Sequence, residues 1–149
     1  MSMFKVFDIS GSAVSAQSQR LNVVASNLAN VDTVAGPDGK PYQARQVVFQ
    51  TMMMLAAGSA ANPGMPADPV TGSAGVRVTN ITEDQTPGRK VHDPSHPAAD
   101  ADGNVTFSNV NAVEEMVNMI SASRSYQNNI EVMNTAKSLL LKTLQMGQS

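Results

Sequence analysis

Two histidines carry the spacing of a metal site in this sequence of 149 residues. His92 and His96 are four positions apart, which on a helix would place both imidazoles on one face for a zinc ion. Pro94 lies between them and Pro97 follows, and a proline inside a helix removes a hydrogen bond and clashes with the preceding turn. The sequence therefore favours a surface loop here over a metal-binding helix.

A second group of oxygen-bearing residues resembles the start of a calcium-binding loop. It begins at Asp100 and continues with Asp102, Gly103 and Asn104. Such a loop needs Gly at its sixth position and Glu at its twelfth, and here those positions hold Val and Asn. A tight turn before a strand explains the same residues without a metal ion.

Composition and motifs give no other sign of catalysis. The sequence has no cysteine, which excludes thiol nucleophiles, thiolate metal sites and disulfides. It also has no phosphate-binding loop, dinucleotide fingerprint or nucleophile elbow. The net charge of −2 gives no electrostatic reason to expect nucleic acid or an anionic membrane as a partner. We expect no enzyme, no cofactor, no metal and no small-molecule substrate; a metal-dependent enzyme built on loop residues 83–104 is the less favoured alternative.

Both ends of the chain carry a heptad repeat, and these two segments must form the framework that positions the central part of the chain. In the N-terminal segment the two interleaved sets are Phe7, Val14, Leu21 and Leu28, and Ser10, Gln17, Val24 and Val31. In the C-terminal segment they are Met119, Tyr126, Met133 and Leu140, and Met116, Ser123, Ile130, Lys137 and Leu144. A 3-4 alternation held over three to four heptads is typical of helices that pack lengthwise against other helices.

These repeats predict a mainly α fold with minor β structure. Long N- and C-terminal helices are expected to pack as a coiled-coil-like pair, with a small, irregular, β-rich segment between them. The first helix is predicted at residues 3–31 and the second at residues 112–146, capped by Asn109 or Asn111. The chain then divides into an N-terminal helical region, a central segment and a C-terminal helical region, at residues 1–33, 34–110 and 111–149.

The central segment reads as short strands, turns and loops. Its predicted strands are residues 42–49, 76–81 and 105–107. Residues 52–57 either extend the first strand or begin a short helix. In residues 56–75, 15 of 20 are Ala, Gly, Pro or Ser, a composition that predicts a loop because it cannot build a packed core. Residues 86–102 contain three prolines and are also predicted to be loop.

The two helices need contacts from outside the chain. Only 15% of the residues are charged, against roughly 25% in average soluble proteins. A two-helix pair leaves much of each apolar surface in water, and polar seam residues such as Gln17 and Lys137 weaken the pair. We expect the missing stability to come from neighbouring copies or partner subunits, which predicts a polymer subunit.

Both helical segments carry motifs of a known family. Residues 21–33 read LNVVASNLANVDT and closely resemble the N-terminal signature of bacterial flagellar rod and hook proteins, a helix that ends in N-L-A-N-x-x-T. The C-terminal segment has Arg124-x-Tyr126-Gln127 and Asn129, where the family usually has Ala before that Asn and this chain has Asn128. Further matching positions are Asn111, Glu115, Met119, Ile120, Thr135, Leu139 and Leu144.

Directly after Thr33 the chain departs from most rod and hook proteins. Those continue with Pro or Thr, then Gly and an aromatic residue, whereas residues 34–42 read VAGPDGKPY. This departure, the short length and the runs DPSHP at 93–97 and ISASRSYQ at 120–127 resemble the proximal members of the flagellar basal-body rod family.

The resemblance implies a structural subunit of the proximal rod of the bacterial flagellar basal body. Such subunits polymerise through their terminal helices into the helical drive shaft that transmits torque from the membrane-ring motor to the hook. The resemblance also implies export from the cytoplasm without a cleaved signal peptide and assembly in the periplasm, in agreement with the lack of an apolar signal segment after Lys5. The implied partners are other copies of the chain, other flagellar rod proteins, the membrane-ring and export-gate base of the basal body, and the type III export apparatus.

The heptad sets and the family motifs together supply the predicted subunit-interface residues. They are Phe7, Val14, Leu21, Val24, Asn27, Leu28, Asn30, Thr33, Met116, Met119, Ile120, Arg124, Tyr126, Ile130, Met133, Leu140 and Leu144. The alternative hypothesis is a soluble coiled-coil adaptor or export chaperone, which would form a discrete oligomer and stay in the cytoplasm.

Overall fold

The computed structural model describes residues 3–36, 39–54 and 73–147. In chain order, its elements are α1 (Met3–Ala29), β1 (Arg45–Met54), β2 (Ser73–Glu83), β3 (Lys90–His92), β4 (Asn104–Thr106) and α2 (Ala112–Met146). Two long terminal helices therefore flank a small antiparallel β region, which confirms the predicted fold class. Neither helix is long and apolar enough to cross a membrane, judged over these three ranges.

The family motif explains where α1 ends, slightly before the predicted end at Val31. The Asn30 side chain donates to the Ser26 carbonyl at 2.8 Å, and the Thr33 hydroxyl donates to the Asn30 carbonyl at 2.7 Å. The last carbonyls of a helix have no partner within the helix, so side-chain donors here stabilise its end. The second Asn and the Thr of N-L-A-N-x-x-T thus close α1.

The predicted start of α2 is confirmed, and Asn111 is its cap. The Asn111 side-chain oxygen accepts from the Val113 N–H at 3.1 Å. Glu114 and Glu115 lie in the first turn, where a carboxylate interacts favourably with the positive end of the helix dipole.

The two helices pack against each other in antiparallel orientation. Near the end of α1, Arg20 Nη2 donates to Asn118 Oδ1 at 3.1 Å, whereas near its start Val6 lines a hollow with Ala136 and Leu139 of α2. At 1.5 Å per residue, α1 is about 40 Å long and α2 about 52 Å. Since Val6 lies beside Leu139, about one turn of α2 extends past the start of α1.

The face of α2 that packs on α1 is only partly the predicted one. The set Met119, Tyr126, Met133 and Leu140 is half-buried. The interleaved set is shifted by one residue: Met116 is 51% exposed and Lys137 is exposed, whereas Glu115, Ala122 and Ala136 are buried. Alanine allows two helix backbones to approach closely, and an apolar pattern built on larger side chains does not reveal it.

β1 and β2 form an antiparallel hairpin that lies against α1. One register shift, between Val48 and Phe49, interrupts the pairing, as in a β-bulge. The Val76 N–H of β2 donates to the Ser12 hydroxyl of α1 at 3.1 Å. α1 therefore has α2 and the hairpin as neighbours.

The hairpin strands are longer than predicted. Residues 52–54 continue β1 as a strand, one of the two alternatives left open by the sequence. Residues 73–75, predicted to belong to the loop 56–75, begin β2 instead. The rest of that predicted loop lies outside the described residues.

The short strand β3 was missed by sequence analysis, which predicted residues 86–102 as loop. β3 pairs with β4 in antiparallel orientation. All three β3 residues are exposed, so this short strand has no buried face that an apolar pattern could reveal. Just before β3 the backbone passes close to the Phe107 carbonyl at Gly88, where the Cβ of any other residue would collide with that carbonyl. Val105 of β4 is 1% exposed and forms the small core of this hairpin.

Candidate assembly surface

The two histidines with metal-binding spacing make contacts within the local fold. His92 Nδ1 lies 3.2 Å from Asn104 Oδ1 in the β3–β4 hairpin, and His96 Nδ1 accepts a backbone N–H at 3.1 Å. The Ser95 hydroxyl and N–H donate to the Asp93 carboxylate and hold its pKa below the ordinary value. Within the described parts of the chain, no three His, Asp or Glu residues are grouped as a metal ion would require.

The calcium-like run forms the predicted turn. The Gly103 N–H donates to the Asp100 carbonyl at 2.8 Å, and the Asp100 N–H donates to the Asn104 carbonyl at 2.9 Å. Gly103 has a φ of +72°, which a residue with a side chain rarely adopts. These residues lead the chain into β4.

Asn27, the first Asn of N-L-A-N-x-x-T, fastens the start of β1 to α1. It is 0% exposed. Its side-chain oxygen accepts from the Arg45 N–H at 2.9 Å and from the Tyr42 hydroxyl at 3.0 Å, and its side-chain nitrogen donates to the Arg45 carbonyl at 2.8 Å. Its side chain is therefore enclosed and bonded within the chain, whereas the prediction from the sequence was a contact with another subunit.

Asn109 and Ser108 complete this hydrogen-bonded cluster just before α2. The Asn109 oxygen accepts from the Ala44 N–H at 2.6 Å, and its nitrogen donates to the carbonyls of Asp84 and Thr86 at 2.9 and 3.0 Å. The Ser108 hydroxyl donates to the carbonyl of Val31 at 2.6 Å. We call the side chains of Asn27, Tyr42, Ser108 and Asn109, with the backbone groups that they bind, the polar base.

Sequence analysis did not find the polar base as a unit. Asn109 was considered only as a helix cap, a role that belongs to Asn111. Tyr42 was read only as the start of a strand. The partners of these side chains are mostly backbone groups far away in the sequence, and only the fold brings them together.

Next to the polar base, the start of α2 exposes a group of large apolar side chains. Val113, Met116, Val117 and Ile120 are 71, 51, 62 and 55% exposed. Their spacing of i, i+3, i+4 and i+7 places them on one helix face, and Glu115, on the face toward α1, is 9% exposed. We call these four residues the head patch.

The far end of α2 exposes a second apolar group. Leu139, Leu141 and Leu144 are 51, 51 and 57% exposed. Leu139 lies beside Val6 near the start of α1, whereas Leu141 and Leu144, three residues apart, share another side of α2. Lys137 and Lys142 are exposed beside them. We call Leu141 and Leu144 the tail patch.

The outer face of α1 has a different character. Its exposed positions after the first turn are Asp8, Ser15, Ser18, Gln19, Asn22, Ala25 and Ala29. These side chains are small or polar, so α1 offers little apolar area to another chain through this face.

A cleft of about 430 Å³ lies where α1, α2 and β1 meet. Arg20, Arg45, Glu114 and Glu115 are among its lining residues. The Glu115 Oε2 atom is buried and has no hydrogen-bond partner among the described residues. The cleft mixes charges of both signs and contains no arrangement of nucleophile and base.

The structure places the predicted interface residues at three levels of burial. Val24 and Asn27 are buried. Half-buried are Phe7, Val14, Leu21, Leu28, Asn30, Thr33, Met119, Tyr126, Ile130, Met133 and Leu140. Exposed are Met116, Ile120, Arg124 and Leu144. The exposed group thus contributes to the head and tail patches.

Comparison with known proteins identifies the family. Residues 7–37 match the family described as flagella basal body rod protein, and residues 101–146 match the one described as flagellar basal body rod FlgEFG protein C-terminal. A Yersinia enterocolitica protein named flagellar basal-body rod protein FlgC is 57% identical over 99% of this chain and 100% of the relative. This chain belongs to the flagellar basal-body rod protein family. Relatives of the same name from Salmonella typhimurium and from Buchnera aphidicola of Acyrthosiphon pisum are 53 and 45% identical, with the same coverage.

The two family matches follow the architecture of this rod-family protein. The first contains most of α1 and the turn that closes it, and the second contains β4 and all of α2. The hairpin of β1 and β2 lies between them. The resemblance inferred from the two sequence motifs is confirmed.

Proposed function

We propose that this protein is a structural subunit of the flagellar basal-body rod that polymerises through its terminal helices. Its family membership supports the rod as its location and a structural role. The observation that carries polymerisation is the head patch, four large apolar side chains on one helix face, each more than half exposed. Full burial of such a side chain is worth about 1.5–3 kcal/mol, so covering the exposed parts of the four would gain roughly 4–7 kcal/mol before the entropy cost of association.

The proposed mechanism is mechanical. Contacts between unlike surfaces of identical subunits do not close on themselves and so generate a helical filament. The polar base fixes both helices and the hairpin to one another at one end of the subunit. Torque from the membrane-ring motor then passes to the hook as strain shared among many contacts between helices. No catalytic step is part of this proposal, and we propose that the protein is not an enzyme.

Specific partners form part of the proposal. They are other copies of the chain, other rod proteins, and the membrane-ring and export-gate base of the basal body, with delivery by the type III export apparatus. A soluble adaptor or export chaperone is not favoured, because the relatives that match along their full length are named as rod proteins.

Substitution in the head patch tests the proposal. We expect Ile120→Asp to be produced and exported but to be missing from detergent-extracted basal bodies, with loss of swimming, because a carboxylate in a buried contact is strongly unfavourable. The matched control is Ser18→Asp, which adds the same charge at an exposed position on the outer face of α1, away from the patch.

The measurements are swimming in soft agar and the protein content of purified basal bodies, in cells that lack the native gene. Normal swimming by the Ile120→Asp strain would contradict the interface assignment. Recovery of the unaltered protein only from the cytoplasm, as a discrete dimer, would contradict the rod function and support the adaptor hypothesis.

A further inference from the structure

The cleft between α1, α2 and β1 contains a buried acidic group with an unsatisfied oxygen. Glu115 is 9% exposed, and its Oε2 atom has no hydrogen-bond partner among the described residues. A polar atom that is buried without a partner lowers the stability of a fold, because it has lost its bonds to water. In the arrangement of the separate chain, this oxygen therefore costs stability.

Two cationic side chains line the cleft, and only one of them is available to this carboxylate. Arg45 already forms an ion pair with Glu83, at 3.3 Å. Arg20 forms no ion pair within the described parts of the chain, and its Nη2 atom donates to the Oδ1 atom of Asn118 at 3.1 Å. A guanidinium group has five N–H donors, so a bond to a neutral amide leaves its charge without a counterion. Arg20 is therefore the cation that Glu115 can use.

The Arg20 side chain can exchange one acceptor for the other while the backbone stays in place. Glu115 and Asn118 are three residues apart and lie on the same face of α2, about 4.5 Å apart along the helix axis. Both line the cleft together with Arg20, and the volume of about 430 Å³ leaves room for a long side chain to move. A change of rotamer is then sufficient to bring the guanidinium from Asn118 to Glu115.

The cleft borders the head patch. Glu114 is exposed and lines the cleft, and Val117 of the head patch lies three residues further on the same side of α2. A subunit that packs on the head patch therefore removes water from this side of the cleft. The attraction between opposite charges grows as water is excluded, and Glu115 has already lost most of its hydration in the separate chain. Assembly thus favours an ion pair over the bond to a neutral amide.

We propose that Arg20 is a latch with two positions, bound to Asn118 in the separate chain and to Glu115 in the assembled rod. This inference rests on the rod function proposed above. The ion pair joins α1 to α2 across the cleft once a neighbouring subunit is in place. It thereby strengthens the contact between the two helices in the state that carries torque.

A double-mutant cycle tests whether the two charged groups act as a pair. We expect Arg20→Gln and Glu115→Gln, each alone, to lower the amount of the protein in purified basal bodies about tenfold relative to whole cells, because each leaves a covered charge unpaired. Both substitutions together should lower it no further, since neither charge remains. Two independent effects would instead multiply to about a hundredfold. Arg20→Lys keeps the charge and should stay within about twofold of the unaltered chain.

Asn118→Ala separates a latch from a purely structural contact. It removes the acceptor that Arg20 uses in the separate chain and leaves the ion pair possible, so incorporation into basal bodies should not fall. If Arg20 acts only through its bond to Asn118, this variant would be lost from basal bodies as Arg20→Gln is, and the latch would be wrong.

Urea unfolding of the purified Glu115→Gln chain tests the separate state. Its midpoint should not fall, because the carboxylate oxygen has no partner to lose. A clear fall would show that the carboxylate is already engaged in the separate chain, which contradicts the two positions of the latch.

The outcomes also separate this inference from the proposed function. If the unaltered chain and Glu115→Gln enter basal bodies equally well, the latch is wrong while the rod function stands. Losses that multiply in the double variant likewise exclude the ion pair and leave the rod function intact. If the unaltered chain is missing from basal bodies, the rod function itself fails.

Discussion

The polar base and the head patch are neighbours at the start of α2, yet they are built in opposite ways. In the polar base, Asn27 is 0% exposed and its side chain binds three groups of the same chain. In the head patch, Val117 is 62% exposed and apolar. The chain thus fastens its own elements at this end with polar side chains and leaves large apolar ones exposed. In the proposed filament, these apolar side chains would contact neighbouring subunits.

The same contrast separates the outer faces of the two helices. The exposed side chains along α1 are small or polar after the first turn, whereas those at both ends of α2 are Val, Met, Ile and Leu. In the proposed filament, α2 therefore supplies most of the apolar area in contacts between subunits. α1 is more deeply engaged within its own chain, because both α2 and the hairpin pack on it.

Removing the central side chain of the polar base should produce a large effect on stability. We expect Asn27→Ala to lower the free energy of unfolding by about 3 kcal/mol, because it leaves the buried backbone groups of Arg45 and the Tyr42 hydroxyl without these partners. Urea unfolding of the purified chain, followed by circular dichroism, measures this change.

The control is the other Asn of the same motif. Asn30 is half-buried and its side chain makes one bond, to the Ser26 carbonyl, so Asn30→Ala should cost about 1 kcal/mol. Equal losses for the two variants would show that Asn27 is not the centre of the polar base.

A smaller effect should appear in acid at the edge of the polar base. The Thr86 hydroxyl and N–H donate to the Asp84 carboxylate and hold its pKa below the ordinary 3.8. Since the folded pKa is the lower one, this group contributes stability above pH 3.8, and the contribution is lost as the pH falls through the folded value.

Asp84→Asn is the variant that tests this dependence. Its unfolding midpoint should lie below that of the unaltered chain near neutral pH, and the two should converge in acid. The measurement is a series of urea titrations from about pH 6 to about pH 2. A gap that stays constant over the whole range would contradict the role of the carboxylate.

Sequence analysis was accurate for the two helices and failed for the polar base. The helices were predictable because the heptads and Asn111 are local signals, and the predicted start of α2 is that of the structure. The buried face of α2 was shifted because Ala122 and Ala136 carry little apolar signal. The polar base was missed because Asn27 and Asn109 act on backbone groups that only the fold brings near.

The exposed residues among the predicted interface positions were selected for a related reason. Met116, Ile120 and Leu144 stand out as large apolar residues whether they pack inside the chain or outside it. Their sequence pattern therefore predicts that these side chains are buried, but it does not show whether their own chain or another molecule covers them. The fold supplies that distinction, because it leaves these side chains exposed.

The smallest effect on stability, and the sharpest test of the comparison, is expected from Val117→Ser in the head patch. Because Val117 is 62% exposed, this change should alter the free energy of unfolding by less than about 0.5 kcal/mol. The same substitution at Val105, 1% exposed, should cost about 3 kcal/mol. Urea unfolding compares the two, and incorporation into basal bodies should fall for Val117→Ser although the chain is intact. Equal destabilisation by both substitutions would mean that Val117 packs inside its own chain, and the head patch would then not be available to another subunit.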